Sequence, residues 1–361
     1  MNRTSNLSTV AKVFIISVCL AVTGCKLEYS KRKIVVDGND VDNYYNNFVA
    51  AGRLIKYKDR LFYDPIVRQD SDIEIFKLDS SGTSVFIRNE FYYEFMFIFG
   101  DELCISSHTC IDIENNKVSN FLYGNFLNEV YDSVVKIDDD GIYYTVWNQE
   151  YSIDTDGSKY WVDSLYANDT LLIENMLDCY ITDEHIYYLG IGDKEFSAFG
   201  IYCYEKATAN IIKIKEVEIN DSKEENYVVL GNLIVQGDYI LYLETIGYPY
   251  AYQCLHIYSV REGKDYLIEQ RIKEHENINS FNVFEDKIYI CSSEGLLMLN
   301  IFTKEEIRLS EVRDVRSCYI LDDKWIYFDV THGACGGARL YRVSKDGKKT
   351  EKVFDNYMSW C

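Results

Sequence analysis

A composition rich in aromatic residues and poor in proline, one strand-and-turn unit written seven times, and a mean spacing of about 44 residues between units predict an all-β chain. The fold they point to is a β-propeller of seven four-stranded blades behind an N-terminal export signal, with six and eight blades as the neighbouring counts. The chain of 361 residues holds 32 Tyr and 18 Phe but only two prolines, Pro65 and Pro249. Aromatic side chains suit pleated, half-buried surfaces, and the near absence of proline leaves the backbone donors that sheet ladders need.

The last unit shows the pattern most plainly. Cys318-Tyr-Ile-Leu-Asp-Asp323 is an apolar strand ending in a polar turn, Trp325-Ile-Tyr-Phe-Asp-Val330 alternates aromatic and aliphatic residues, and Ala338-Arg-Leu-Tyr-Arg-Val-Ser-Lys-Asp-Gly347 ends in an Asp-Gly pair suited to a hairpin before Lys352-Val-Phe354. The aromatic strand recurs as Leu61-Phe-Tyr63, Leu103-Cys-Ile105, Ile142-Tyr-Tyr144, Ile186-Tyr-Tyr188, Ile240-Leu-Tyr242, Ile288-Tyr-Ile290 and Trp325-Ile-Tyr327. Its partner recurs as Ile75-Phe-Lys-Leu78, Cys110-Ile-Asp-Ile113, Tyr151-Ser-Ile153, Gly200-Ile-Tyr-Cys-Tyr204, His256-Ile-Tyr-Ser-Val260, Gly295-Leu-Leu-Met-Leu299 and Leu340-Tyr-Arg-Val343. Turns rich in Asp, Asn, Ser and Gly follow, as in Asp79-Ser-Ser-Gly82 and Asp154-Thr-Asp-Gly157. Such units cannot bury both faces alone, so they are expected to stack around an axis. Residues 34–37 or 356–361 are the candidates for a strand joining the first and last blades.

The N-terminus carries a second signal. Arg3 and Lys12 precede the apolar run 13–22, which ends in Val22-Thr23-Gly24-Cys25. This ending resembles a bacterial lipobox, and the resemblance implies removal of residues 1–24, a diacylglycerol thioether on Cys25, and a short basic tether over residues 25–33. The expected address is the extracytoplasmic face of a membrane, held by the lipid on Cys25. The apolar run is short for an uncleaved spanning anchor. The propeller then occupies 34–361. Formal net charge is −21, and it becomes two units more negative when Arg3 and Lys12 leave with the signal. That balance argues against nucleic acid and against anionic headgroups as partners.

The run Asn43-Tyr-Tyr-Asn-Asn-Phe-Val-Ala-Ala-Gly-Arg-Leu-Ile-Lys-Tyr-Lys-Asp-Arg-Leu-Phe-Tyr63, with the later Ile-Tyr-Tyr and Leu-Tyr-Arg-Val-Ser-Lys-Asp-Gly pieces, resembles a family of uncharacterised bacterial propeller domains. That family is similar to the low-density-lipoprotein-receptor-related propellers and is common in lipoproteins and wall proteins of low-GC Gram-positive bacteria. The likeness covers residues 40–355. The receptor motif Tyr-Trp-Thr-Asp is represented only by Tyr143-Tyr-Thr-Val146, so the receptor-type hydrogen bonding does not carry over. The resemblance implies architecture and no chemistry.

Eleven cysteines less Cys19 in the signal and Cys25 under lipid leave an odd number, so at least one thiol is free. Cys179, Cys203, Cys254, Cys291 and Cys318 lie in strand patterns and read as small core residues. Cys104 and Cys110 flank a hairpin and can face each other, with a disulfide left open by spacing alone. An acid precedes each aromatic strand, at Asp59, Asp101, Asp140, Glu184, Asp238, Asp286 and Asp323. A feature repeated in every blade is spread around a ring and cannot converge on one reacting atom, so it reads as turn chemistry. His108-Thr-Cys110 and His332-Gly-Ala-Cys335 each pair imidazole with thiol, but two ligands are not a site; no metal, cofactor or catalytic residue is expected.

Function in a repeated fold is sought where the repeat breaks. The links between second and third strands share one face, and there Tyr248-Pro-Tyr250-Ala-Tyr252, Gly190-Ile-Gly-Asp-Lys-Glu-Phe196, Trp147-Asn-Gln-Glu150 and Thr331-His-Gly-Ala-Cys-Gly-Gly337 are the unusual members. Tyr248, Tyr250, Tyr252, Trp147 and His332 are the candidate binding residues, since rigid aromatic rings with polar tips suit protein surfaces and sugars. The expectation is a non-enzymatic binding module for a surface protein or cell-wall glycan. Its alternatives are a glycan-active hydrolase or lyase using acids near the central channel, and a structural spacer.

Overall fold

The computed structural model describes residues 53–65, 73–89, 96–105, 109–120, 133–138, 141–155, 158–168, 170–191, 198–218, 228–246, 252–272, 277–332 and 337–356. Every regular element among them is a strand. The first sheet is β1 (Leu54–Tyr57), β2 (Arg60–Tyr63), β3 (Ile73–Asp79) and β4 (Gly82–Asn89); the second is β5 (Met96–Phe99), β6 (Glu102–Ile105), β7 (Thr109–Asp112) and β8 (Lys117–Asn120). The third has seven strands: β9 (Ser133–Asp138), β10 (Gly141–Thr155), β11 (Ser158–Ala167), β12 (Thr170–Ile181), β13 (His185–Ile191), β14 (Ala198–Glu205) and β15 (Asn210–Glu218). The fourth is β16 (Val228–Gln236), β17 (Tyr239–Ile246), β18 (Tyr252–Ser259) and β19 (Lys264–Ile272). The fifth is β20 (Ile278–Phe284), β21 (Lys287–Ser292), β22 (Gly295–Asn300) and β23 (Glu306–Ser310), and the sixth is β24 (Val315–Tyr319), β25 (Trp325–His332), β26 (Gly337–Ser344) and β27 (Thr350–Asn356). Within each sheet, neighbours are consecutive in the chain and antiparallel, as the turn-by-turn repeat predicts.

The turns are built as their residue types require. Asp112 Oδ1 accepts the backbone N–H groups of Glu114 (3.0 Å) and Asn115 (2.9 Å), and Asp322 Oδ1 accepts those of Lys324 (2.9 Å) and Trp325 (2.8 Å). Gly347 holds φ at +72°, the left-handed conformation expected of its Asp-Gly turn.

The third sheet departs from the expected four-strand unit through β12. Its first half pairs with β11 and its second half with β13, the registers changing at Met176. Asn175 sits there with φ of 56°, and the bend brings its carbonyl so close that a Cβ on Gly190 would lie 3.1 Å from it. One long strand therefore serves as the last strand of one four-stranded unit and the first of the next. The two ends of the sheet pack on each other: Tyr143, Leu165 and Ile173 share a core with Ile186, Tyr188, Tyr202 and Tyr204.

One expected loop is strand. Trp147-Asn-Gln-Glu150 runs inside β10, with Trp147 opposite Asp163, and Tyr151-Ser-Ile153 is the end of that same strand rather than its partner. No Gly or Pro interrupts residues 147–150, so the strand continues to the Asp-Gly pair of residues 156–157, and a register shift between Asn148 and Ser152 takes up the irregularity. Similarly, Thr331 and His332 complete β25, with His332 opposite Gly337.

Second strands β13, β17, β21 and β25 are buried on both faces. In β17, Ile240 and Tyr242 enter the core shared with the third sheet, while Leu241 and Leu243 enter the one shared with the fifth. In β25, Ile326, Phe328 and Val330 face the fifth sheet and Tyr327 faces the first. The first and last sheets meet directly: Leu54, Tyr63 and Leu78 pack with Tyr319, Leu321, Tyr327, Leu340 and Phe354, and Lys56 and Arg53 reach Asp322 (3.4 Å) and Asp329 (3.8 Å). Each of these sheets holds four strands of its own; of the candidate joining segments 34–37 and 356–361, only Asn356, the last residue of β27, lies among the described residues. At the next boundary, Asn279 Nδ2, Ser280 Oγ and Asn282 Nδ2 of β20 donate to the carbonyls of Val315 (2.7 Å), Arg316 (2.7 Å) and Cys318 (3.1 Å) on the free edge of β24.

Cys104 and Cys110 are direct partners across β6 and β7 and are joined as a disulfide, while Cys179, Cys203, Cys254, Cys291 and Cys318 are free and buried, as their strand positions suggest.

Two outcomes follow from these boundaries. Burial pushes the Asp329 carboxyl up to about 6 despite Arg53, whereas the unfolded chain should titrate it near 4. The folded state thus holds the proton more tightly. Its contribution is fully present below about pH 4 and is lost as pH rises through about 6, on the order of 3 kcal/mol. Urea denaturation of Asp329→Asn should therefore gain on the parent by that order between pH 4 and pH 7.5; a gap unchanged with pH contradicts it. Asn282→Ala should cost about 1–2 kcal/mol by leaving an edge carbonyl of β24 unpaired, and a loss within error of zero would mean that water replaces the bond.

Candidate functional site

The hairpin of β17 and β18 carries the one predicted binding residue whose side chain is described. Tyr252 opens β18 opposite Ile246 and is 45% exposed. Strand periodicity puts Tyr252, Cys254 and His256 on one face, and the antiparallel register puts Glu244 beside Cys254 and Tyr242 beside His256 on that same face. The face points at the third sheet, whose edge strand β15 contributes Lys215; β19 contributes Asp265.

These side chains form a polar cluster between two sheets. His256 Nε2 lies 3.0 Å from Glu244 Oε2 and its Nδ1 3.3 Å from Asp265 Oδ2. Neither approach is aligned as a hydrogen bond, although both ring nitrogens are buried. Asp265 Oδ2 accepts hydrogen bonds from Tyr242 Oη (2.7 Å) and Lys215 Nζ (2.8 Å), and Lys215 also reaches the Tyr242 hydroxyl. The imidazole stacks on the Tyr242 ring with centroids 5.0 Å apart and planes within 10°, and Lys215 Nζ lies 4.7 Å from the same ring's centroid.

Charge is strongly organised here. Burial works against a charged imidazole, but the facing carboxylates of Asp265 and Glu244 outweigh it and raise His256 to about 9. Burial also works against the Asp265 carboxylate, yet His256, Lys215 and Tyr242 hold its pKa well below the usual range. Glu244 is lowered chiefly by His256. Burial, then the neighbouring Glu244 charge, pushes the Cys254 thiol up. Glu244, Cys254 and His256 place their ligand atoms within 4.8 Å of one another.

The other predicted residues do not join this cluster. Tyr248 and Tyr250 fall outside the described residues, as does Cys25; the side chains of Trp147 and His332 do too, though their strands are described. His108, Cys335 and the acidic insertion at residues 221–225 also fall outside them. Among the described residues, the acids before the aromatic strands behave as turn residues: Asp59, Asp101, Glu184, Asp238 and Asp323 are exposed at strand ends, and Asp286 accepts from Asn300 Nδ2 (2.6 Å), while Asp140 lies outside the described residues. By sequence, Cys254 reads as core and His256 as part of a repeat strand. The pattern Cys254-Leu-His256, with Glu244 and Tyr242 at matching offsets on the preceding strand, was the available signal; its meaning depended on the hairpin register.

Two more carboxyls are raised to about 6 by burial, Asp178 and Asp329. Asp329 is 2% exposed and accepts the Ser317 N–H (2.9 Å), and the enclosed Asp178 carboxylate accepts the Cys179 N–H (2.8 Å). Both serve the packing of sheet boundaries.

No family model and no curated protein matches the chain. Solved structures do. A Mycobacterium tuberculosis puromycin-hydrolyzing peptidase aligns with TM-score 0.57 and 8% identity, over 90% of this chain and 56% of that one. An oligogalacturonate lyase in complex with manganese aligns with TM-score 0.54 and 11% identity, over 84% of this chain and 91% of the lyase. A prolyl endopeptidase aligns with TM-score 0.52 and 11% identity, over 88% and 51%. The fold is of the β-propeller type. The chain spans about half the length of the two peptidases, and at these identities the likeness concerns the fold alone.

Lys215 and Asp265 sit on the edge strands of two different sheets, so their contact measures the boundary. A double-mutant cycle with Lys215→Met and Asp265→Asn, followed by urea denaturation, should give a coupling of about 1–3 kcal/mol. Coupling near zero would place the pair among surface ion pairs that contribute little.

Proposed function

We propose that this protein is a lipid-anchored, extracytoplasmic propeller of seven blades that binds a surface protein or cell-wall glycan through the face bearing the β17–β18 hairpin. The observation that carries the reading is the exposed Tyr252, standing at the base of a hairpin whose intervening residues 247–251 add Tyr248 and Tyr250. An aromatic ring left in water beside a half-buried, charge-organised base suits recognition better than packing. The seven-blade count is supported by β12, which lets the seven-stranded sheet act as two four-stranded units, and by the packing of the first sheet on the last. Export is supported by the lipobox-like Val22-Thr23-Gly24-Cys25 and by the Cys104–Cys110 disulfide, a bond favoured in oxidising compartments. The excess of acidic residues makes nucleic acid a poor partner.

A glycan-active enzyme is the second reading, favoured by the extent to which the chain covers an oligogalacturonate lyase. Binding and turnover separate the two. Co-sedimentation with isolated cell walls, and with walls stripped of protein, should retain the parent and lose Tyr252→Ala by about tenfold, with an unchanged melting temperature. Equal retention of the two would overturn the assignment of this face. Cleavage of oligogalacturonate or wall glycan by the parent would replace binding by catalysis. Cys25→Ser should release the protein from membranes in a fractionation experiment; continued membrane association would argue against the lipid anchor.

A further inference from the structure

The β17–β18 face holds a combination that ion pairing alone leaves unexplained. Glu244, Cys254 and His256 bring a carboxylate oxygen, a sulfur and an imidazole nitrogen within 4.8 Å of one another, from positions set by strand register rather than by a mobile loop. A tetrahedral zinc-type ion binds sulfur at about 2.3 Å and nitrogen or oxygen at about 2.0–2.2 Å, which sets its ligand atoms roughly 3.5 Å apart. Here Glu244 Oε2 and His256 Nε2 lie 3.0 Å apart, and no pair of the three ligand atoms is more than 4.8 Å apart. Small side-chain rotations would complete the geometry without moving a strand.

The histidine's surroundings point the same way. Both nitrogens are buried, both face carboxylates, and neither makes an aligned hydrogen bond. A ligating histidine typically presents one nitrogen to the metal and the other N–H to a carboxylate that orients the ring. Here Nε2 faces Glu244 and Nδ1 faces Asp265, which Lys215 and Tyr242 hold in turn, while the Tyr242 ring fixes the imidazole plane.

We infer that Glu244, Cys254 and His256 form a binding site for one borderline transition-metal ion of the zinc type, with Asp265 as the positioning residue for His256. The thiolate selects against hard ions such as magnesium and calcium. Three protein ligands leave a fourth position for water or an added ligand. Binding displaces the thiol proton of Cys254 and the second proton of the imidazolium, so the filled site carries thiolate, carboxylate and neutral imidazole around the ion. The site lies on the same strand face as Tyr252, two and four residues away.

The test uses the full-length chain in detergent, stripped with chelator and titrated with cobalt(II) as a spectroscopic probe. The parent should saturate at one cobalt per chain, with tetrahedral visible bands and a thiolate-to-cobalt charge-transfer band in the near ultraviolet. Cys254→Ser should lose the charge-transfer band, whereas Cys203→Ser, at another buried free thiol, should keep it. Asp265→Asn should weaken cobalt binding by about 10–100-fold while keeping the band. His256→Ala should lose tight binding, and if that variant does not fold, the two serine variants still decide. No saturable cobalt spectrum in the parent, or a charge-transfer band that survives Cys254→Ser, overturns the site and leaves an ion-pair network only.

Discussion

The packing of this structure depends on second strands that are buried on both faces. β13, β17, β21 and β25 each send alternate side chains into two different cores, as Ile186 and Tyr188 do against Tyr187 and Leu189. A strand of that kind cannot lie on the outside of anything. Each sheet therefore needs a neighbour on either side, and a row of such sheets has two unsatisfied ends unless its first and last members meet. They meet here through Leu54, Tyr63 and Phe354, with Asp329 buried in the contact and Arg53 reaching it. The burial that raises the Asp329 pKa and the packing of the two ends of the chain are one feature.

Polar groups at the sheet boundaries have two kinds of work. Between the fifth and sixth sheets, the amide and hydroxyl side chains of Asn279, Ser280 and Asn282 meet edge carbonyls that no strand pairs, a local solution to an edge-strand problem. Between the third and fourth sheets, Lys215, Tyr242, Glu244, His256 and Asp265 meet one another instead. Half-buried charge gathered at this density costs desolvation that hydrophobic replacement would avoid. A boundary elsewhere in the same molecule manages with neutral groups, so packing alone does not account for placing a histidine and two acids at this one.

The architecture was legible because it is repeated. Aromatic strands such as Ile186-Tyr-Tyr188, acids confined to turns and cysteines in strand positions are local signals, and local physics decides them. The boundaries of single strands were less legible. Residues 147–150 look like a loop by polarity, yet without Gly or Pro the chain stays extended and absorbs its irregularity as a register shift. Sharing β12 between two units required knowing that one extended segment can bend at Asn175; asparagine tolerates the left-handed conformation, but a lone Asn in a strand pattern does not by itself separate a bend within a strand from a turn between strands. The His256 cluster was least legible of all. Its members come from four strands, β15, β17, β18 and β19, and they converge only when hairpin register and the packing of one sheet on the next are both known.

That convergence also says where a recognition surface is best founded. Residues between strands adapt, but the geometry they present depends on the rigidity of the strands beneath them. In the β17–β18 hairpin the exposed Tyr252, the buried Cys254 and the half-buried His256 share one face of a strand whose pairing with β17 runs unshifted from Ser259 to Tyr252. The stacked Tyr242 ring and the Asp265 carboxylate hold His256 from two further directions. An ion seated on Glu244, Cys254 and His256 would tie β17 to β18 just below the aromatic segment, so its binding and the presentation of Tyr252 would be properties of a single rigid element.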